Sequence, residues 1–343
     1  MRLLHIVMIV LLVVVVVGCG SPSPGPTGRP LTIVKVGIMT IPDSATLFVA
    51  RNRKYFEAEG LRIATEIVQG GGVALPKLKS GALDFSIMNY VAAIQSEVSE
   101  PGEIKLVTDA YQAVPEAFML MVPGASPIRS VADLRGKRIL VLTLNSVSTL
   151  SLESRLRVHG LTKKDVLIAE KPVQDMIDAL NSGTYDAAWM TEPFISAYAK
   201  AGGRKLDDMM QAETNALPIA GWATSGDYAE RQPETVRAFQ RAMLRAQTDV
   251  GRDRSLVTAV LPTYTRIDPA TAATITIGTF PLNLALSRVQ RVSDLMQTYD
   301  YIPAPGPNIQ DMLLPQPALP ATTSAATLPP PPSAAPTQQG PTP

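Results

Sequence analysis

The chain holds few of the residues that do chemistry: one cysteine, Cys19, and two histidines, His5 and His159. His5 lies in an apolar N-terminal run. His159 falls in the last turn of a helix that Gly160 should end, where an imidazole complements the carbonyl end of the helix dipole. One thiol cannot form a disulfide within the chain. One histidine outside the N-terminal run leaves no cluster with metal-ligand spacing. A serine nucleophile would need His159 as its base, and the Gly-x-Ser-x-Gly elbow is absent. No carboxylates are paired at a suggestive spacing. Catalysis, a bound metal and a cofactor are therefore not expected.

The polar residues that remain come as two pairs, each closing one of two similar stretches. Leu78-Lys79-Ser80-Gly81-Ala82-Leu83-Asp84-Phe85-Ser86-Ile87-Met88 runs into Asn89-Tyr90. Leu180-Asn181-Ser182-Gly183-Thr184-Tyr185-Asp186-Ala187-Ala188-Trp189-Met190 runs into Thr191-Glu192. Leu, Ser, Gly, Asp and Met recur at a constant offset of 102 residues, from Leu78 to Leu180. In each copy a helix ends at Ser-Gly, where glycine takes the left-handed cap conformation. Asp then leads into a buried apolar strand with polar side chains at its end. Ligands of open α/β sheets sit beyond the carboxyl ends of strands, so two related lobes each offer polar groups where a ligand would lie. Coincidence between two ordinary helix-to-strand turns is the competing explanation. The flanks argue against it, since Gly60-Leu61 and Gly160-Leu161 also correspond.

The elements that must position these residues follow from periodicity and turn chemistry. Residues 32–39 read as a strand, and Ile41-Pro42-Asp43-Ser44 as a loop before a helix over 45–59. A second strand spans 61–68, and Gly70-Gly71-Gly72 opens a helix to about Ser80. Such glycines either let a backbone approach a ligand or form a flexible turn. Residues 111–116 suit a crossover between lobes. Asn145-Ser146-Val147-Ser148-Thr149 starts the helix that Gly160 ends; one hydroxyl would suffice as a cap, so the group suits a ligand loop. Thr191-Glu192-Pro193 opens another helix, with Thr191 as cap, where Glu192 could simply complement the dipole. Residues 219–224 form a strand returned to the first lobe, with Trp222 either in the core or near the hinge. Helices over about 233–250, 256–261, 270–277 and 287–299 should cover one sheet face and carry no chemistry.

Both ends differ from this body. Leu3 to Val17 is almost wholly apolar after Met1-Arg2, too short to span a bilayer and suited to a signal-peptide core. It ends in Val16-Val17-Gly18-Cys19, which resembles a bacterial lipobox; Cys19 would carry lipid and become the mature N-terminus. The layout expected is a lipoprotein signal peptide over 1–18 and a flexible tether over 19–30. The tail over 303–343, rich in Pro, Ala and Thr, should be disordered. At 343 residues, net charge +1 and 5% aromatic content, nothing marks a nucleic-acid surface.

Several stretches together resemble a known family. They are Phe48-Val49-Ala50, Tyr55-Phe56-Glu57-Ala58-Glu59-Gly60-Leu61, Leu78 to Asp84, Asp133-Leu134-Arg135-Gly136-Lys137-Arg138-Ile139, Leu180 to Gly183 and Thr191-Glu192-Pro193. Over Val34 to Ile302 the chain resembles the substrate-binding lipoproteins of ABC transporters. The branch holding nitrate-, sulfonate- and taurine-binding proteins and the binders of thiamine-precursor pyrimidines is the nearest. That resemblance implies an α/β fold of the type II periplasmic-binding-protein kind. Two lobes, each a mixed sheet flanked by helices, would be joined by two crossover strands. Lobe I would take 31–115 and 216–302, and lobe II 116–215. It further implies a small-molecule solute held in the interlobe cleft, hinge closure, an ABC permease as partner, and an extracytoplasmic, lipid-anchored location. Carried over position by position, the ligand-binding residues would be Ile41, Pro42, Asp43, Ser44, Gly71, Asn89 and Tyr90 in lobe I. Those of lobe II would be Ser146, Ser148, Thr149 and Glu192, with Trp222 near the hinge. The second-lobe loop opens with Asn145-Ser146 where the family has Gly-Ser, and the cysteine-rich motif of the pyrimidine-synthesising relatives is absent.

None of these loops contains Lys or Arg, and Glu192 adds negative charge. An aminopyrimidine-like or other nitrogenous solute therefore ranks above a sulfonate- or nitrate-type oxyanion. The rival of another class is a cell-surface sensory or scaffolding protein with the same fold. A lipid-anchored hydrolase would have to rest on His159.

Overall fold

The computed structural model describes residues 30–318. The expected signal peptide, Cys19 and the tether up to residue 29 lie outside the described residues, as do residues 319–343.

Ten strands build two sheets of five. They are β1 (Thr32–Ile38), β2 (Leu61–Ile67), β3 (Phe85–Asn89), β4 (Ile104–Gln112), β5 (Phe118–Val122), β6 (Arg138–Val141), β7 (Leu167–Glu170), β8 (Ala187–Thr191), β9 (Arg204–Asp208) and β10 (Pro218–Ser225). The first sheet runs β2-β1-β3-β10-β4 and the second β7-β6-β8-β5-β9. Each has a parallel trio and then two strands joined antiparallel: β10 beside β3 and β4, β5 beside β8 and β9. The repeated stretches become β3 and β8, the same central position in each sheet. The central strands β3 and β8 are almost wholly buried, while the edge strands β2 and β7 keep exposed polar residues such as Glu66 and Glu170.

The chain passes from the first sheet to the second between Gln112 and Phe118, and returns between Asp208 and Pro218. The lobes also share a core. One apolar cluster runs from Val34 and Phe85 in the first sheet to Phe118, Leu120 and Trp189 in the second. A smaller cluster under Met119, Met121, Met176 and Tyr198 covers the far face of the second sheet. In the first lobe, Phe85 stacks on Phe239 of the long helix Pro233–Arg252 at 4.2 Å between ring centroids.

Several expectations need correction. Strand β9 was not anticipated: Arg204-Lys205-Leu206-Asp207-Asp208 is too charged to read as a strand, yet charge suits an edge strand. The helix after β8 begins at Phe194 with Pro193 in the cap position, so Thr191 is the last residue of β8 and caps nothing. The last long helix starts at Leu286 behind Ala285; Ser287 lies inside it. Disorder from residue 303 is overturned as far as residue 318. Ile309 and Met312 are buried, Leu314 donates its N–H to the Leu106 carbonyl at 3.0 Å, and Gln316 Nε2 reaches the Val107 carbonyl at 2.9 Å. This segment lies along the free edge of β4 and satisfies backbone groups that an open edge would expose.

Candidate functional site

Between the lobes lies a narrow cavity of about 30 Å³. Lobe I contributes Met39, Ile41 and Asp43 from the loop after β1, Gly70, Ile87 and Asn89 at the end of β3, and Ile219 and Ala220. Strand β10 runs antiparallel to β3, so its beginning, not its end, meets the carboxyl ends of the parallel strands. Lobe II contributes Phe118, Leu142, Thr143, Ser146, Val147, Ser148, Trp189 and Thr191. Among the described residues, no lysine or arginine lines the cavity.

The aromatic wall is a stacked pair. Phe118 and Trp189 lie 4.9 Å apart at an interplanar angle of 26°, and the indole N–H is already donated to Ser151 Oγ at 3.0 Å. The hydroxyl wall is the first turn of the helix Val147–Val158. Ser146 Oγ donates to the Thr143 carbonyl at 2.7 Å, and Ser148 Oγ to the same carbonyl at 3.1 Å. Ser146 also accepts from the Ser148 N–H, and Thr149 Oγ1 accepts from the Ser146 N–H at 2.9 Å. The hydroxyl protons are thus spent inside the loop, and what the helix start has left to donate is its first-turn backbone N–H groups. In lobe I, Asn89 caps the helix Tyr90–Ser99 by accepting from Ala92 N at 3.0 Å, which leaves its amide N–H₂ free. Asp43 sits in a short turn, Pro42–Ser44, and is buried. Burial raises its carboxyl to about 7, its own backbone N–H opposing in part.

The lobes touch above the cavity. A methyl group built on Gly70, whose φ is +147°, would stand 3.1 Å from Thr143 Cγ2 of the other lobe. Gln174 Nε2 reaches Gln69 Oε1 at 3.5 Å across the same lip.

Of the twelve residues expected to bind, Ile41, Asp43, Asn89, Ser146 and Ser148 line the cavity. The others are placed elsewhere. Ser44 Oγ accepts from Met39 N at 3.1 Å and shapes the loop from inside, with Pro42 buried in the same turn. Gly71 serves packing: a Cβ there would come within 2.6 Å of Ala92 Cβ, and its neighbour Gly70 is the residue at the cavity. Thr149 completes the helix cap. Tyr90 turns behind β3 toward Asp109 and Gly221, where burial foremost and the Asp109 charge next raise its hydroxyl well above the usual range. Glu192 accepts from Ser196 N at 3.1 Å and Ser196 Oγ at 2.8 Å, the dipole-complementing role of an acid at a helix start. Trp222 sits mid-strand opposite Ile87 and Thr108 and meets Phe239 edge-on at 5.9 Å, inside the core. His159 is exposed at the far end of the helix whose first turn faces the cavity.

Three lining residues left out of that expectation, Ile87, Trp189 and Thr191, carry a signal. Ile87 and Asn89 lie two apart on β3, and Trp189 and Thr191 lie two apart on β8, each pair on one face of its strand. The pairs correspond at the same 102-residue offset. The repeat already held this wall: Asn89 follows from it, while Tyr90 and Glu192 fall one residue beyond the cavity-facing positions.

The NMT1/THI5-like family matches residues 41–252. The chain belongs to this family. Among curated relatives of this family member, the taurine-binding periplasmic protein of Escherichia coli is 29% identical over 187 residues, covering 52% of this chain and 57% of that one. The chain thus matches little more than half of that relative's length. The riboflavin-binding protein RibY of Chloroflexus aurantiacus is 25% identical over 268 residues, 73% of this chain and 74% of that one. Among solved structures, the alkanesulfonate-binding protein SsuA of Xanthomonas axonopodis, bound to MOPS, superposes with a TM-score of 0.68 at 20% identity, covering 82% of this chain and 98% of that one. The desulfurization enzyme DSZB shares the fold at a TM-score of 0.65 and 16% identity, covering 83% of this chain and 96% of that one. The fold is therefore that of periplasmic binding proteins, and it also hosts an enzyme.

Proposed function

We propose that the protein is the extracytoplasmic solute-binding component of an ABC importer. It captures a small organic solute between its lobes, closes on it and presents it to a membrane permease, held at the surface by lipid on Cys19. The observation that carries this reading is the cavity, walled by corresponding strand ends from both lobes and roofed by their contact at Gly70 and Thr143. The taurine-, riboflavin- and alkanesulfonate-binding names of the relatives point the same way.

A nitrogenous heterocycle ranks ahead of an oxyanion. A free sulfonate or nitrate needs donors, and the wall offers no cation, while the protons of Ser146 and Ser148 are directed at the Thr143 carbonyl. A flat ring would bury its faces against Phe118 and Trp189. An enzymatic role is not favoured, because His159 lies at the opposite end of its helix from the cavity, roughly 18 Å along twelve residues.

A thermal-shift screen tests this, since a ligand that binds only the folded state raises its melting temperature. The panel pairs aminopyrimidines and riboflavin with taurine, alkanesulfonates and nitrate. Larger shifts from the heterocycles are expected. Larger shifts from amine-free sulfonates would reverse the ranking, and no shift from any solute would contradict the binding role.

A further inference from the structure

Asp43 stands out among the groups at the cavity. It is an acid at a ligand-facing wall, only 4% exposed, and its Oδ1 has no hydrogen-bond partner. Buried polar atoms are nearly always paired, and a buried charge without a partner is among the costliest features a fold can hold. The surroundings do not resolve it. Ser44 Oγ, next in the turn, is used by Met39 N. From β4, the Tyr111 hydroxyl accepts from Gly278 N at 2.5 Å and is not within hydrogen-bond reach of Asp43 Oδ1. From the loop after residue 263, the Tyr264 hydroxyl donates to the Ile41 carbonyl at 3.1 Å. The remaining charged groups on this side are Arg254, whose guanidinium is bound to the Ile277 carbonyl, and Glu192, held by Ser196. The missing partner is therefore a donor that arrives from the cavity.

We infer that Asp43 is the specificity-determining residue of the cleft: it selects solutes that present a nitrogen-borne hydrogen-bond donor, an amine or an amino-heterocycle edge, to the lobe I wall. This rests on the solute-binding reading and names the chemistry that reading leaves open. Burial raises the pKa of Asp43 and so weakens it as an acid, which fits a group waiting for such a partner, since pairing would recover the cost of desolvating it. An aliphatic amine and an aromatic amine share this chemistry, so the test carries an arm for each.

Calorimetric titration of the purified protein would compare taurine with ethanesulfonate and 4-aminopyrimidine with pyrimidine, two pairs that differ only in the amine. In at least one pair the amine-bearing member should bind about tenfold or more tightly than its partner, as loss of a buried charge-assisted hydrogen bond implies. Asp43→Leu should abolish that preference. Asp43→Asn, nearly isosteric, guards against misfolding and should reduce the preference as well. Equal affinity within both pairs, or a preference that survives in both variants, overturns the inference and leaves the cleft reading standing. No binding of any of the four probes overturns both.

Discussion

At the end of β3, Ile87 and Asn89 face the cavity while Tyr90 turns back into its lobe. At the end of β8, Trp189 and Thr191 do the same and Glu192 turns back. The two lobes thus use one backbone plan with different side chains. Lobe I brings an acid and an amide, lobe II an aromatic stack and hydroxyls. Repeated topology supplies two strand ends aimed at one gap, and substitution at corresponding positions then makes the two sides complementary. The residues that turn away from the cavity find other partners: Tyr90 near Asp109 within lobe I, Glu192 on Ser196 of its own helix and on the Thr276 backbone N–H of the other lobe.

If this division holds, the two indoles should respond differently. Trp189→Ala removes a buried side chain stacked on Phe118 and strands Ser151, at a cost of about 3–5 kcal/mol. Trp222→Ala should cost a similar amount, about 3–5 kcal/mol, from the core of the other lobe. The milder Trp189→Phe should weaken solute binding and Trp222→Phe should leave it unchanged; denaturant melts and calorimetry on the same samples separate the two effects.

The acids of the two lobes also differ. Burial raises Asp43 from 3.8 to about 7, so the folded protein holds this proton more tightly than the unfolded chain. The contribution of Asp43 to stability is fullest below about pH 4 and is lost as pH rises toward 7, an upper bound of about 4 kcal/mol. Asp43→Asn should therefore stabilise the ligand-free protein at pH 8 and not at pH 4, read from urea midpoints at the two pH values. Glu192 is also raised by burial, with the Ser196 bonds opposing. Glu192→Gln should cost only about 1 kcal/mol and leave solute affinity within about threefold. A large loss of affinity there would blur the line between inward and cleft-facing positions.

The adjacent glycines of lobe I offer a finer cut. Gly70→Ala forces a side chain into a left-handed backbone and against Thr143, so it should hinder closure and lower affinity. Gly71→Ala pushes on Ala92 inside lobe I, and should cost about 1–3 kcal/mol of stability with no comparable change in binding once folded. If both variants behave alike, the lip contact has no part in closure.

Much of this was legible in the chain. The 102-residue repeat located both central strands, the loop after β1 followed from its Pro-Asp-Ser turn residues, and the loop before the helix Val147–Val158 from its cap residues. The phase of the strand ends was not legible. Polarity drew attention to Tyr90 and Glu192, but period-two alternation puts the side chains before and after Met88 and Met190 on the opposite face. Phe118, Leu142 and Ile219 escaped because an apolar cavity wall and a core have the same composition. Strand β9 and the ordered 303–318 segment escaped for a related reason: edge pairing depends on backbone geometry, which charged or proline-rich sequence hides.

Distance measurement across the cleft tests the central claim most directly. Spin labels at Val73 and Asp178, exposed positions on opposite lobes, report the separation of the rims. With the solute that most raises the melting temperature, the account predicts that a broad, longer distribution collapses to one shorter distance. Saturating solute that leaves the distribution unchanged would contradict closure of two lobes around it.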